Sequence, residues 1–81
     1  DSMMNAGIFE GDLLIVDRSL EPSSGKIVVA IVHGELTVKR LLKKDHRFFL
    51  CPENPNYKPI EIKEEQNVQF WGVVTSVIHQ V

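Results

Sequence analysis

The chain has 81 residues, 43% hydrophobic and 25% charged, with eleven acids against nine bases and a formal charge of -2. That length allows one small domain, residues 1–81, with a single modest core, and the composition is that of a folded soluble chain rather than a disordered one. The slight acidic balance argues against a dedicated nucleic-acid surface. No apolar run is long enough for a membrane-spanning helix, and the start does not read as a signal peptide.

Residues 3–11 can form a short helical turn that ends at Glu10-Gly11-Asp12. Leu13-Leu14-Ile15-Val16 reads as a buried strand, and residues 19–25 as a polar connection holding Pro22. Residues 26–32 and 35–42 are rich in β-branched side chains and flank His33-Gly34. Two residues ending in glycine between two such runs predict a β-hairpin, because glycine reaches positive φ without steric cost. Phe48-Phe49-Leu50 is a further short strand, and residues 51–59, with three prolines and two asparagines, form a turn-rich loop. Ile60-Glu61-Ile62 alternates as an edge strand does. Residues 68–78 form a long final strand, in which Gly72 marks a bulge or bend. The sum is a mostly β domain with mixed strand directions and little helix.

Chemistry is concentrated in Ser2 and Lys39. A serine hydroxyl is a poor nucleophile until a base removes its proton, and a lysine is that base only when neutral. The site must therefore lower the lysine pKa, chiefly by withdrawing it from water. Lys39 lies inside the apolar run Leu36-Thr37-Val38-Lys39-Arg40-Leu41-Leu42, and no histidine is comparably placed near a serine. Strand alternation puts Thr37, Lys39 and Leu41 on one face and Leu36, Val38 and Arg40 on the other. Thr37 is thus placed to orient the lysine. Arg40 points away and stays charged, so it is a poor base.

The remaining reactive residues have simpler readings. Cys51 is alone, which excludes an internal disulfide and points to a reducing, cytoplasmic setting; between Leu50 and Pro52 it reads as a packed thiol. His33, His46 and His79 have no metal-ligand spacing and read as turn, loop and strand-end residues, so no metal or cofactor is expected. Phe70 and Trp71 should face opposite ways on the last strand, one in the core and one at a surface or interface. Lys43-Lys44-Asp45 reads as a solvated hairpin end, and Glu61, Glu64 and Glu65 as a polar rim.

At four stretches the chain resembles the peptidase domain shared by LexA-type repressors and the UmuD mutagenesis proteins. They are Asp1-Ser2-Met3; Gly7-Ile8-Phe9-Glu10-Gly11-Asp12-Leu13-Leu14-Ile15-Val16-Asp17; Gly34-Glu35-Leu36-Thr37-Val38-Lys39-Arg40-Leu41; and Asn54-Pro55-Asn56-Tyr57-Lys58-Pro59-Ile60. The closing Phe70-Trp71-Gly72-Val73-Val74 resembles the family's last core strand. Within the family, the wording around residues 11–17 and 34–41 is most similar to the UmuD branch.

The resemblance implies the β-clip fold of the LexA and UmuD C-terminal domains, a homodimer formed through the final strands, and self-cleavage stimulated by the RecA filament on single-stranded DNA. Ser2 would be the nucleophile, Lys39 the general base and Thr37 the residue holding the lysine. The backbone N–H groups of Asp1 and Ser2 would be the oxyanion donors. In the UmuD branch the trimmed dimer joins a UmuC-type polymerase in translesion synthesis, and no direct nucleic-acid contact is expected from this domain. The family's scissile bond, Ala-Gly or Cys-Gly, lies upstream of the serine. Ala6-Gly7 matches those letters but follows the nucleophile and reads as structural, and Asp1 reads as a boundary beyond which the native chain continues. A UmuD-like autopeptidase is the first reading and the C-terminal domain of a LexA-like or phage-type repressor the second. A non-catalytic dimeric binding module of the same fold is the third.

Overall fold

The computed structural model describes residues 2–63 and 67–80. The apolar runs become β1 (Leu13–Asp17), β2 (Ile27–Val32), β3 (Glu35–Lys44), β4 (Arg47–Cys51), β5 (Ile60–Ile62) and β6 (Gln69–Ile78), joined in one sheet of order β1-β6-β2-β3-β4-β5. The helical expectation for residues 3–11 shrinks to one 3₁₀ turn, Met4–Ala6, closed by Gly7 at φ 80°. This is the mostly β, helix-poor class the sequence implies. Strand direction is corrected: every pairing among the described residues is antiparallel. Short connections favour that outcome, since parallel neighbours need long crossovers.

His33-Gly34 joins β2 to β3 with both residues at positive φ, 51° and 80°, the backbone of a two-residue hairpin turn. Asp45-His46 makes a second such turn between β3 and β4, at φ 52° and 66°, without any glycine.

Register decides which face is the core. Val28 pairs with Lys39 and Val73, Ala30 with Thr37 and Phe70, and Leu41 with Leu50, so these side chains share one face. The buried cluster Val28, Ala30, Leu41, Leu50 and Val73 lies entirely on it, with Val32, Ile62 and Val68 packed alongside. Lys39 therefore leaves the sheet on the apolar side, and Arg40 on the other.

Three further expectations change. Residues 13–16 were predicted as a buried strand, yet β1 is an edge strand on which Leu13 and Ile15 are about half-exposed (53% and 48%). The bulge in β6 lies beside Gly72 rather than at it: Val29 pairs with Gly72 and Ala30 with Phe70, leaving Trp71 as the extra residue. A second shift, against β1, leaves Thr75 unpaired. Phe70 and Trp71 are both exposed, because the bulge breaks the strict alternation; the Arg18 guanidinium lies over the indole at 4.4 Å and shields part of it. Of the acidic rim, Glu61 faces Arg47 at 3.7 Å, whereas Glu64 and Glu65 lie outside the described residues.

Candidate active site

The 3₁₀ turn and β3 bring Ser2 and Lys39 together across 37 positions of sequence: Lys39 Nζ lies 2.6 Å from Ser2 Oγ. Met3, buried beside the serine, anchors the segment through its carbonyl, which accepts from the backbone N–H groups of Ala6 (3.0 Å) and Ile8 (3.3 Å). The Lys39 amine also donates to the Val38 carbonyl at 3.0 Å. Thr37 lines the same cleft, but no hydrogen bond joins its hydroxyl to the amine among the described residues. Of the two expected oxyanion donors, the backbone N–H of Ser2 belongs to the described residues and that of Asp1 lies outside them.

Burial on the core face pushes the Lys39 pKa below its ordinary 10.5, with desolvation as the cause. A lysine without a carboxylate partner loses hydration of its charged form and gains only hydrogen bonds to neutral oxygens in return, so the neutral amine becomes accessible at lower pH. A hydroxyl hydrogen-bonded to such an amine can lose its proton as it attacks a carbonyl carbon. Both groups open on a cleft of about 450 Å³, walled by Ile8, Phe9 and Glu10 on one side and Leu36, Thr37 and Val38 on the other. Residues 35–39 of β3 pair with β2 alone, since β4 pairs only from Arg40 onward. The cleft therefore borders a strand edge that is unpaired among the described strands.

A second tie reaches the N-terminal segment from the opposite face of β3, and reading the sequence missed it. The Arg40 guanidinium pairs with Glu53 and donates to the Gly25 carbonyl at 2.7 Å, while the Glu53 carbonyl accepts from the Asn5 N–H at 2.8 Å. Adjacent residues of one strand thus hold the serine segment twice, Lys39 at the hydroxyl and Arg40 through Glu53. Neither Glu53 nor Asn5 carries a sequence signal for this role; only the folded loop 51–59 brings them together.

The other candidates are placed apart from the dyad. Burial, and then the nearby Glu53 charge, push the pKa of the half-buried Cys51 thiol up, which favours its protonated form. His33 and His46 occupy the two hairpin turns, and His79 Nδ1 lies 2.9 Å from Asp12 Oδ2. Among the described residues no group of three or more His, Cys, Asp or Glu could hold a metal ion, and no helix is long and apolar enough to cross a membrane.

Residues 1–75 match the family described as Peptidase S24-like. The chain is 48% identical over 82 residues to the LexA repressor of Geobacter sp. (strain M21), covering 100% of this chain and 41% of that protein. It is 44% identical over 78 residues to the LexA repressor of Stenotrophomonas maltophilia (strain R551-3), covering 96% and 37%. It is 40% identical over 80 residues to LexA repressor 2 of Pseudomonas syringae pv. tomato (strain ATCC BAA-871 / DC3000), covering 99% and 40%. The chain thus spans about two fifths of the length of the curated relatives it matches.

Proposed function

The chain belongs to the Peptidase S24-like family, and on that premise we propose that it is the Ser-Lys self-cleavage and dimerisation domain of a LexA-type repressor of the DNA-damage response. The observation that carries the chemistry is the 2.6 Å contact between Lys39 Nζ and Ser2 Oγ on a desolvated lysine. Ser2 Oγ attacks the scissile carbonyl as Lys39 takes its proton. The Ser2 N–H, and that of Asp1, supply the oxyanion donors, and Lys39 returns the proton to the leaving amine. Thr37 lines the same cleft on the face of β3 that carries Lys39 and keeps the proposed role of orienting the lysine, without a hydrogen bond to its amine. The unpaired edge at residues 35–39 fits an extended peptide added as a strand.

Identity of 40–48% with proteins named LexA repressor supports the repressor reading. The UmuD reading, with its polymerase partner, has no comparable observation behind it and becomes the alternative. DNA binding would then belong to a different part of the polypeptide, and the RecA filament would act as the stimulating partner. Leu13 and Ile78, paired across β1 and β6 and both about half-exposed, together with Ile15, form the apolar strip proposed to join two copies.

Self-processing of the full-length gene product, followed by intact mass at neutral and alkaline pH, tests this reading. Cleavage that Ser2→Ala and Lys39→Ala both abolish supports the dyad. The mass of the released fragment separates a short arm from a helix-turn-helix domain. Absence of cleavage at every pH, with RecA filaments also supplied, would overturn it in favour of a dimeric binding module.

A further inference from the structure

The wall of the cleft is held from the far end of the chain. Ile8, Phe9 and Glu10 line the cleft beside Ser2, and this segment has no strand pairing of its own. Ile8 is tied at one end to the Met3 carbonyl, and what fixes Phe9 is Asp12. The Asp12 carboxylate accepts from the Phe9 N–H at 2.7 Å, and the Asp12 N–H donates to the Phe9 carbonyl at 3.1 Å. The same carboxylate oxygen meets His79 Nδ1 at 2.9 Å, and the His79 ring packs on the Phe9 ring with centroids 5.9 Å apart and planes inclined at 52°. His79 stands just past β6, where the pairing of Leu13 with Ile78 carries it to Asp12.

We infer that His79 is a positioning residue for the substrate cleft, clamping Phe9 through Asp12 and through ring contact so that the wall facing Leu36–Lys39 keeps its shape. The inference rests on the Ser-Lys reading, because it assigns the cleft to a peptide. His79 touches neither Ser2 nor Lys39 and takes no part in proton transfer. Its effect is on how tightly an extended peptide seats between Phe9 and the open edge of β3. A wall displaced by a fraction of an ångström misplaces the scissile carbonyl and weakens binding before it alters the reacting groups. The imidazole contributes two separable things, a hydrogen-bond donor toward Asp12 and an aromatic face toward Phe9. Asparagine places its amide nitrogen close to where Nδ1 stands and keeps the first without the second.

The test compares the intact chain with its His79→Ala and His79→Asn variants. Each is given a synthetic peptide centred on an Ala-Gly bond, and amide exchange at Phe9 is followed by NMR. His79→Ala should raise KM by about threefold or more with kcat within about twofold, and should leave the inflection of the rate–pH profile in place. It should also speed exchange at the Phe9 N–H, while His79→Asn restores most of the exchange protection and part of the KM. Unchanged KM and unchanged Phe9 exchange in His79→Ala would overturn the inference. If no protein cleaves the peptide, the dyad reading fails separately. Faster Phe9 exchange in His79→Ala, with weaker peptide binding by chemical-shift titration, would then still establish the clamp, and equal exchange and binding would still refute it.

Discussion

Lys39 Nζ lies 2.6 Å from Ser2 Oγ, and Lys39 is paired across the sheet with Val28, a fully buried core residue. The two facts belong together. The register that puts the lysine within reach of the serine also puts its stem on the apolar face, so one placement both delivers the base and desolvates it. A lysine at the neighbouring position would lie on the Arg40 side, where Glu53 would stabilise its charged form and spoil it as a base.

Cleavage should therefore rise with pH as the amine loses its proton. The sign follows from the role: only neutral Lys39 accepts the serine proton, and burial moves its pKa below 10.5. A rate–pH profile with a single rising inflection below that value is expected. An inflection at or above 10.5 would mean that Lys39 is solvated in the working enzyme.

Removing the Glu53 charge should loosen the serine segment without altering the chemistry of Ser2 or Lys39 themselves. Glu53→Gln keeps the backbone carbonyl that holds Asn5 but weakens the grip of Arg40 on the loop at 51–59. The pair is about one third exposed at each side chain, so stability should fall by only about 0.5–1 kcal/mol. Cleavage should drop by about tenfold, through misplacement of Ser2. The Cys51 thiol offers an independent readout, because one of the two causes raising its pKa is that charge. Alkylation of Cys51 should become faster in Glu53→Gln, and an unchanged rate would show that the carboxylate does not reach it.

Much of this was legible beforehand, for identifiable reasons. Period-two alternation around Lys39 assigned Thr37, Lys39 and Leu41 to one face, and the observed register agrees because a two-residue turn at His33-Gly34 leaves β2 and β3 little freedom to slip. The apolar run of β1 misled: Leu13 and Ile15 look like core residues in sequence, and nothing local reveals that the strand ends at a sheet edge. Lys43-Lys44-Asp45 reads as a hairpin end and the chain does turn there; only the two turn residues, Asp45 and His46, went unmarked because neither is glycine, although aspartate tolerates positive φ better than most. The Arg40, Glu53 and Asn5 tie and the Asp12 and His79 contact join residues 13 or more positions apart through loops, where no periodicity exists to read.

Gly72 should be intolerant of even one methyl group. A Cβ built there would stand 2.5 Å from Val16 Cγ1 and 3.4 Å from the Asp17 carbonyl oxygen. Valine branches at Cβ and has little rotamer freedom with which to yield. Gly72→Ala should cost about 1–3 kcal/mol and lower Tm, as overpacked sites do. The strain falls on β1 and β6, the two strands whose exposed strip is proposed to join two copies. An unchanged Tm would show that β1 stands farther from β6 than this contact implies.

Lys39→Met should make the domain more stable while abolishing cleavage. The folded state lowers the lysine pKa, so between that lowered value and 10.5 the unfolded chain binds more protons than the folded one. Wild-type stability therefore rises with pH across this window, and below it the fold carries the full cost of holding a charged amine away from water. Methionine fills a similar volume with no charge to desolvate. At neutral pH the variant should gain about 0.5–2 kcal/mol, the size usual when a functional group is traded for packing. That advantage should shrink as pH climbs through the window and Lys39 becomes neutral in both states. Chemical denaturation at two pH values measures the difference directly. A variant less stable than wild type at neutral pH would mean that the charged amine is held favourably by Ser2 Oγ and the Val38 carbonyl, and that desolvation is not the term governing this site.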